Sequence, residues 1–498
     1  MPALPASAPV TVAVNLPGGL VSAGNLLRAL AAAETAGVEQ VQFGHRQQLL
    51  LAVAPGRRQA LLLALATAGF AAETEPEAYP NIVSSYVGEG VFYSAAWLCE
   101  GVYRDILDLF DYRPRLKINL VDSRQAFVPF FTGHLNFIAS ETPNYWHLYV
   151  RFPRAGGLFA WPHLVYSEDI SALSAALETA VLAEPDGFWG TPAAEARLVA
   201  HTGATVALVR QAVAAPLALP PFTLPYYEGF NRTGEQLWLG IYRRDEQFSV
   251  AFLQDLCRVC LRTRVGQLCT TPWKSLVIKG IALPDRPLWD AVLCRHRVNV
   301  RHAANELNWQ VEDRCPEGLA LKHELVRYLN EEDVRTYQLS FAIKTQPQTG
   351  LFGSIIIRRQ PGRAGEQYEI LHTRDFNPNS RDFVLFRQQV LRERLGWYLA
   401  ELCHQFYAQL DAPAAGPDAP PAPLIEDTPT AGAAPLPRCP RCLTVYDATY
   451  GDPAQGIAAG TPWAALGGYR CPTCEAPATA FEWWHEPADV GADWRVTL

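Results

Sequence analysis

Cys439-Pro440-Arg441-Cys442 and Cys471-Pro472-Thr473-Cys474 form two C-x-x-C hooks separated by 28 residues, the most specific pattern in this chain of 498 residues. A C-x-x-C turn brings two thiolates toward one point. Two such turns facing each other make a tetrahedral sulfur site that suits zinc or a single iron. A segment of about 50 residues buries too little apolar surface to fold unaided, so a bound metal would have to contribute to its stability.

The residues between the hooks separate the metals. Tyr446-Asp447, Gly451-Asp452-Pro453, Gly456-Ile457, Gly460-Thr461 and Trp463 precede Tyr469, and Phe481-Glu482 follow the second hook. Over about residues 437–485 this order resembles rubredoxin, the small electron carrier with one iron in four cysteine sulfurs. The resemblance implies a three-stranded sheet around an aromatic core of Tyr446, Trp463, Tyr469 and Phe481. It also implies Cys439, Cys442, Cys471 and Cys474 as ligands of one iron cycling between Fe3+ and Fe2+. Two positions depart from the family. Leu443 and Glu475 stand where a glycine usually follows each hook, and the inter-hook segment is one residue shorter. A zinc ribbon is the alternative that the hooks alone leave open.

Ahead of this module, residues 411–438 hold eight prolines among Ala, Gly, Thr and Asp, the composition of a linker without a core. The span is on the order of 30 Å if coil-like and on the order of 85 Å if extended polyproline. Charge is concentrated at this end. Residues 439–498 carry three arginines against seven acids, and 411–438 one arginine against four, within a chain of net charge −8. Such acidity steers encounters with a basic redox partner and argues against nucleic acid. It is equally compatible with a tail that is merely well solvated.

The first 410 residues contain an internal repeat. A shift of 227 residues carries Val12 and Val14 onto Leu239 and Ile241, Leu26 and Leu30 onto Leu253 and Cys257, and Leu49 and Leu51 onto Leu276 and Ile278. Each copy reads as strand (11–16; 237–243), helix (22–36; 249–263) and two alternating strands (38–43 and 48–53; 265–270 and 275–280). A further helix is expected at 57–69. Each copy precedes a second kind of segment. Strands are expected at 116–121, 135–139 and 146–151 in the first, and at 337–343, 354–358 and 368–372 in the second. An amphipathic helix is expected near 383–409.

Pro17-Gly18-Gly19, Arg46-Gln47, Ala68-Gly69-Phe70, Pro80-Asn81-Ile82-Val83, Pro114-Arg115-Leu116-Lys117-Ile118 and Thr271-Pro272-Trp273 lie at corresponding places in that pattern. Together they resemble the nitrite and sulfite reductase family over about 400 residues. The resemblance implies an α+β body with pseudo-twofold symmetry. Its parts would be a ferredoxin-like half-domain at 1–79, a core segment at 80–225, a second half-domain at 226–295 and a second core at 296–410. A linker at 411–436 and the rubredoxin-like module at 437–498 follow. The family holds siroheme bridged to a [4Fe–4S] cluster on two close cysteine pairs in the second core. Here that segment has only Cys315 and Cys403, with no cysteine near Thr345-Gln346-Pro347-Gln348-Thr349. Four thiolates are needed, so no [4Fe–4S] cluster is expected and siroheme becomes the minor alternative. By the same resemblance Arg46 is the hairpin arginine that contacts siroheme carboxylates; a hairpin-stabilising role is the alternative.

Other candidates carry less. Cys257 and Cys260 form a C-x-x-C within a helix, where packing is the simpler role. Tyr145, Trp146, Trp161 and Trp238 would either shape a cofactor pocket or fill the core. No histidine pattern, Ser/His/Asp set or phosphate loop stands out. Met1-Pro-Ala-Leu-Pro lacks the features of a signal peptide. Prolines at 216, 220, 221 and 225 break the uncharged stretch Gln211–Tyr227, so no membrane span is expected. The scattered remaining cysteines fit reduced thiols in the cytoplasm. The reading as a whole is an electron-transfer protein, its one-iron centre tethered to a reductase-like docking body and serving a redox protein such as a nitrite or sulfite reductase. The alternatives are an oxidoreductase binding siroheme or another tetrapyrrole, and a zinc-stabilised scaffold.

Overall fold

The two repeats exchange strands. In the computed structural model the short strand Leu20–Ser22 leaves the first copy and pairs antiparallel with Gln267–Thr270 of the second. Reciprocally, Phe248–Ser249 pairs with Gln40–Phe43 of the first. Each resulting sheet has five strands: Phe248–Ser249, Gln40–Phe43, Leu49–Val53, Val10–Val14, Ala72–Glu73 in one, and Gly229–Thr233, Gln236–Ile241, Leu276–Ala282, Gln267–Thr270, Leu20–Ser22 in the other. The helices Ala23–Thr35 and Val250–Thr263 start at equivalent serines. Ser22 Oγ accepts the Asn25 N–H at 3.1 Å, and Ser249 Oγ accepts the Phe252 N–H at 3.2 Å. Such caps satisfy donors that the first helical turn leaves unpaired. Apolar residues from both copies then fill a single core, so neither half-domain closes a core of its own.

The described residues are 8–75, 77–152, 157–184, 188, 191–346, 350–360 and 366–411, and in the tail 436–440, 444–446, 448, 451–452, 455–458, 460–472 and 476–484. The chain divides into two units, Met1–Ala412 and Pro413–Leu498. The prolines expected as a linker lie almost wholly outside the described residues.

Within the first unit the two core segments share one topology. Val83–Ser84, Ile118–Val121 and Leu135–Ala139 run parallel, and Tyr145–Val150 then turns antiparallel. Trp309–Val311, Phe341–Lys344 and Ile355–Gln360 run parallel, and Gln367–Thr373 turns antiparallel. The expected strands and repeat helices fall within a few residues of these bounds, and the helix Arg58–Thr67 occupies the place expected at 57–69. The helix expected near 383–409 is wrong in its first part. Phe383–Leu391 is an edge strand paired with Gln367–Thr373, and the helix runs Leu395–Asp411.

The Pro17-Gly18-Gly19 turn locks half-domain against core. Gly18 and Gly19 have φ of 66° and 75°, which glycine adopts without penalty. A Cβ on Gly18 would lie 2.7 Å from Leu107 Cδ1, and one on Gly19 would lie 2.9 Å from the Thr270 carbonyl oxygen. Backbone here packs where a side chain has no room. No helix among the described residues is long and apolar enough to cross a membrane.

Candidate metal centre

The two hooks of the tail sit in equivalent main-chain settings, 32 residues apart. Cys439 N–H donates to the Thr444 carbonyl and Cys471 N–H to the Ala476 carbonyl, both at 2.8 Å. Two residues outward, Tyr446 N–H reaches the Pro437 carbonyl and Ala478 N–H the Tyr469 carbonyl, both at 2.9 Å. Antiparallel bridges at Arg438–Val445 and Arg470–Pro477 close the two loops alike. Each hook is therefore a tight knuckle on a short ribbon. Cys439 and Cys471 are both fully buried and pack in one cluster with Ala476. Cys442 and Cys474 lie outside the described residues, as do Leu443 and Glu475.

The expected aromatic core assembles beneath them. Tyr446, Trp463, Tyr469 and Phe481 touch one another with ring centroids 4.9 to 5.7 Å apart. Tyr446 Oη donates to the Thr461 carbonyl at 2.7 Å, and Tyr469 Oη to Asp452 Oδ2 at 3.1 Å, which satisfies the polar ends of the buried rings. Gly451 has φ 66°, and a Cβ there would meet the Ala458 carbonyl carbon at 2.6 Å, which fixes the Gly451-Asp452 turn. Leu436–Arg438 pairs with Glu482–Trp484 and joins the ends of the module. Two buried sulfurs on matched knuckles, over an aromatic floor that excludes water, fit a single sulfur-ligated iron.

In the body, the expected Arg46 is 3% exposed. Its Nε and Nη2 donate to the Asn81 carbonyl at 3.1 and 2.7 Å, Nη2 also to the Ile118 carbonyl at 2.9 Å, and Nη1 to Asn119 Oδ1 at 3.3 Å. The arginine thus ties the 43–49 hairpin to the first core. Gln47, with φ 65°, does the same for two further segments. Its amide donates to the Ser84 and Thr270 carbonyls and accepts the Ser84 N–H at 2.9 Å.

Cys315 and Cys403 take separate roles. Cys315 Sγ accepts the Gly318 N–H at 3.3 Å as the cap of helix Pro316–Glu331 and lies 3.4 Å from Thr345 Oγ1. The Glu312 carboxylate accepts the N–H groups of Thr345 and Gln346. Cys403 is buried in helix Leu395–Asp411, where desolvation pushes its thiol up to about 12. Cys257 and Cys260 are buried in the shared half-domain core, and desolvation raises both thiols. Trp146 and Trp161 are buried in the first core segment, and Trp238 packs into the same hydrophobic cluster from strand Gln236–Ile241 of the second half-domain.

A cationic group with no local sequence pattern gathers around the turn 131–134. Arg381 Nη1 donates to the Phe131 carbonyl, and Arg151 to the Thr132 and Gly133 carbonyls. His134 Nδ1 accepts the Lys117 N–H at 3.1 Å. Beside them Lys344 has no hydrogen-bond or ion-pair partner among the described residues. Burial pulls it down to about 8, and Arg381, Arg358 and Arg151 add to that. These residues are far apart in sequence, so only the folded chain brings them together.

Residues 437–481 match the rubredoxin family model, and the chain therefore carries a C-terminal rubredoxin domain. Among curated proteins, the high molecular weight rubredoxin of Moorella thermoacetica is 50% identical over 54 residues, 11% of this chain and 24% of that protein. The probable rubredoxin HupI of Bradyrhizobium diazoefficiens is 50% identical over 44 residues, 9% of this chain and 64% of that protein. The matches thus span about a quarter and under two thirds of those relatives. The body shares the fold of the NirA protein of Mycobacterium tuberculosis, with a TM-score of 0.60 at 17% identity over 80% of this chain and 81% of that one. The mixed α/β architecture expected from the sequence is thereby shown, with ferredoxin-like sheets and a small rubredoxin module.

Proposed function

We propose that the protein is a one-electron carrier whose rubredoxin iron is held by Cys439, Cys442, Cys471 and Cys474. The reductase-like body would serve as the platform on which a redox protein docks. The matched knuckles at Cys439 and Cys471 carry this reading. Iron in such a site supplies one-electron cycling; the chain's own residues hold the sulfurs, seal them from water and set the surrounding charge. The partner is a redox protein with a basic face, a nitrite or sulfite reductase being the candidate that the body's fold suggests. A cytoplasmic location belongs to the same proposal, supported by the unpatterned cysteines of the body. The domain limits of the sequence reading belong to the same proposal.

The body's residues do not fit a [4Fe–4S] cluster. Cys315 is a helix cap, Cys403 is buried in another helix, and Glu312 takes the amides of Thr345 and Gln346. One observation favours a second reading, in which the body binds a tetrapyrrole by the ligand's carboxylates: Lys344, without a side-chain partner among the described residues, beside Arg151 and Arg381. Arg46 contributes little there, because its guanidinium already serves four oxygen contacts. Titration of the intact protein with uroporphyrin, a carboxylate-rich tetrapyrrole, separates the readings. Saturable binding lost in Lys344→Met supports the second, and its absence leaves the carrier alone.

A further inference from the structure

An open cleft of about 760 Å³ lies between the first half-domain and the helix Glu100–Asp108. It contains neither the hooks nor the cationic group around Lys344. Phe70, Tyr79, Phe110 and Tyr112 contribute aromatic walls, all only partly buried. Arg113 stacks its guanidinium 4.5 Å from the centre of the Tyr79 ring and pairs with Glu73. Arg104 is held by Glu100 and Gln267, each at 2.7 Å. The charged groups at the rim are thus mutually neutralised, and no free charge is offered to a ligand. Two lining atoms are left over, Asn81 Oδ1 and the Tyr112 hydroxyl, both buried without a hydrogen-bond partner among the described residues; of these the hydroxyl is a donor carried on an aromatic wall. A buried hydroxyl in that state is disfavoured, and an acceptor on a ligand would relieve the loss.

The internal repeat provides a control. The 227-residue shift carries Asn15 and Pro17 of this cleft onto Tyr242 and Arg244, which line a cleft of about 440 Å³ in the second half. There charged side chains bridge the space. Arg244 forms a two-point contact with Glu306 at 2.6 and 2.7 Å, and the Lys322 ammonium donates to Tyr242 Oη at 2.8 Å. One copy has been crosslinked by ions; the other has kept open aromatic walls. Fold symmetry alone does not produce that difference.

We infer that the first cleft binds a planar heteroaromatic ligand, stacked between aromatic side chains and presenting a ring carbonyl or ring nitrogen to the Tyr112 hydroxyl. A volume of this size suits a ring system of two or three fused rings. Flat ring systems stack on aromatic side chains with little regard to ring identity, because every such ring offers a π-face. A flavin ring and an adenine ring share this chemistry. The test therefore uses riboflavin, FMN and AMP as separate probes in equilibrium dialysis against the intact protein. Saturable one-to-one binding of at least one probe is expected, weakened at least tenfold in Tyr79→Ala. Tyr112→Phe, which keeps the ring and removes only the hydroxyl, should weaken it several-fold. Riboflavin bound as well as FMN would show that the ring rather than the phosphate is recognised. Arg244→Ala in the second cleft should leave binding unchanged. If all three probes fail to saturate at millimolar concentration, or if Tyr79→Ala and Tyr112→Phe bind like the parent, the inference is overturned. Circular dichroism of each variant separates loss of the site from loss of the fold.

Discussion

Gln47 and Lys274 occupy the same position in the two repeats, and both are buried in a left-handed conformation, with φ of 65° and 55°. Each reaches out of its own hairpin. Gln47 bonds the Ser84 and Thr270 main chain, whereas Lys274 Nζ bonds Glu246 Oε2 at 2.7 Å and the Glu312 carbonyl at 3.1 Å. The hairpin tip is thus the common joint of the body, built with an amide in one copy and an ion pair in the other.

Removing either side chain leaves buried partners unpaired. Lys274→Met strands the Glu246 carboxylate, and breaking a buried pair in this way costs about 3–5 kcal/mol. Gln47→Ala should be milder, about 2–3 kcal/mol, because only neutral groups are orphaned. Urea unfolding followed by body tryptophan fluorescence should show both midpoints falling, with Lys274→Met the lower. Equal, small shifts would mean that the tips do not hold the body together.

Asp313 makes part of this joint dependent on pH. Burial alone would raise its carboxyl, but His45 beside it and Lys274 outweigh that and hold it well below the usual carboxylate range. A depressed folded pKa stabilises the fold above the unfolded value of about 3.9 and is lost as pH falls through the folded value. Asp313→Asn should therefore be less stable than the parent at pH 7, and the gap should narrow steadily below about pH 4. A gap independent of pH would assign the loss to packing alone.

Much of the fold was legible because it is written twice. The 227-residue shift located both half-domain strands and helices, and the C-x-x-C spacing with its aromatic order located the metal module. Three features were not legible. Phe383-Val384-Leu385-Phe386 was absorbed into the following helix because this edge strand is exposed on both sides and its partner strand is irregular at Tyr368 and Ile370, which blurs the alternation. The exchanged strands Leu20–Ser22 and Phe248–Ser249 have two or three residues, too few for a periodic signal, and their last residues, Ser22 and Ser249, read as the starts of helices. The cationic group of Arg151, Lys344 and Arg381 is assembled from three distant segments and has no local pattern at all.

The acidic tail should govern encounter rates. Asp452 is a poor choice for neutralisation, since it holds Tyr469 and Gln455. Asp447, Glu475 and Glu482 are the better set. Their conversion to Asn or Gln should slow oxidation of the reduced module by a small cationic oxidant, leave an anionic oxidant as fast or faster, and flatten the salt dependence of both. The Debye length falls from about 10 Å at 0.1 M to about 3 Å at 1 M, so the parent and the variant should converge at high salt. Stopped-flow rates indifferent to salt and to these changes would restrict the acidity to solubility.

Anaerobic treatment of the intact protein with iron and sulfide should leave the module's single iron as the only stoichiometric iron. Four additional irons and matching sulfide per chain would show that the body holds a cluster through ligands other than paired cysteines.

The most direct test of the central claim is the metal content and visible spectrum of the purified protein beside Cys442→Ser. One iron per chain is expected, with ferric-sulfur absorption that dithionite bleaches and air restores. The variant should lose iron and colour while the body's unfolding transition stays in place. A colourless protein holding one zinc, or a variant that keeps its iron undiminished, would contradict the account.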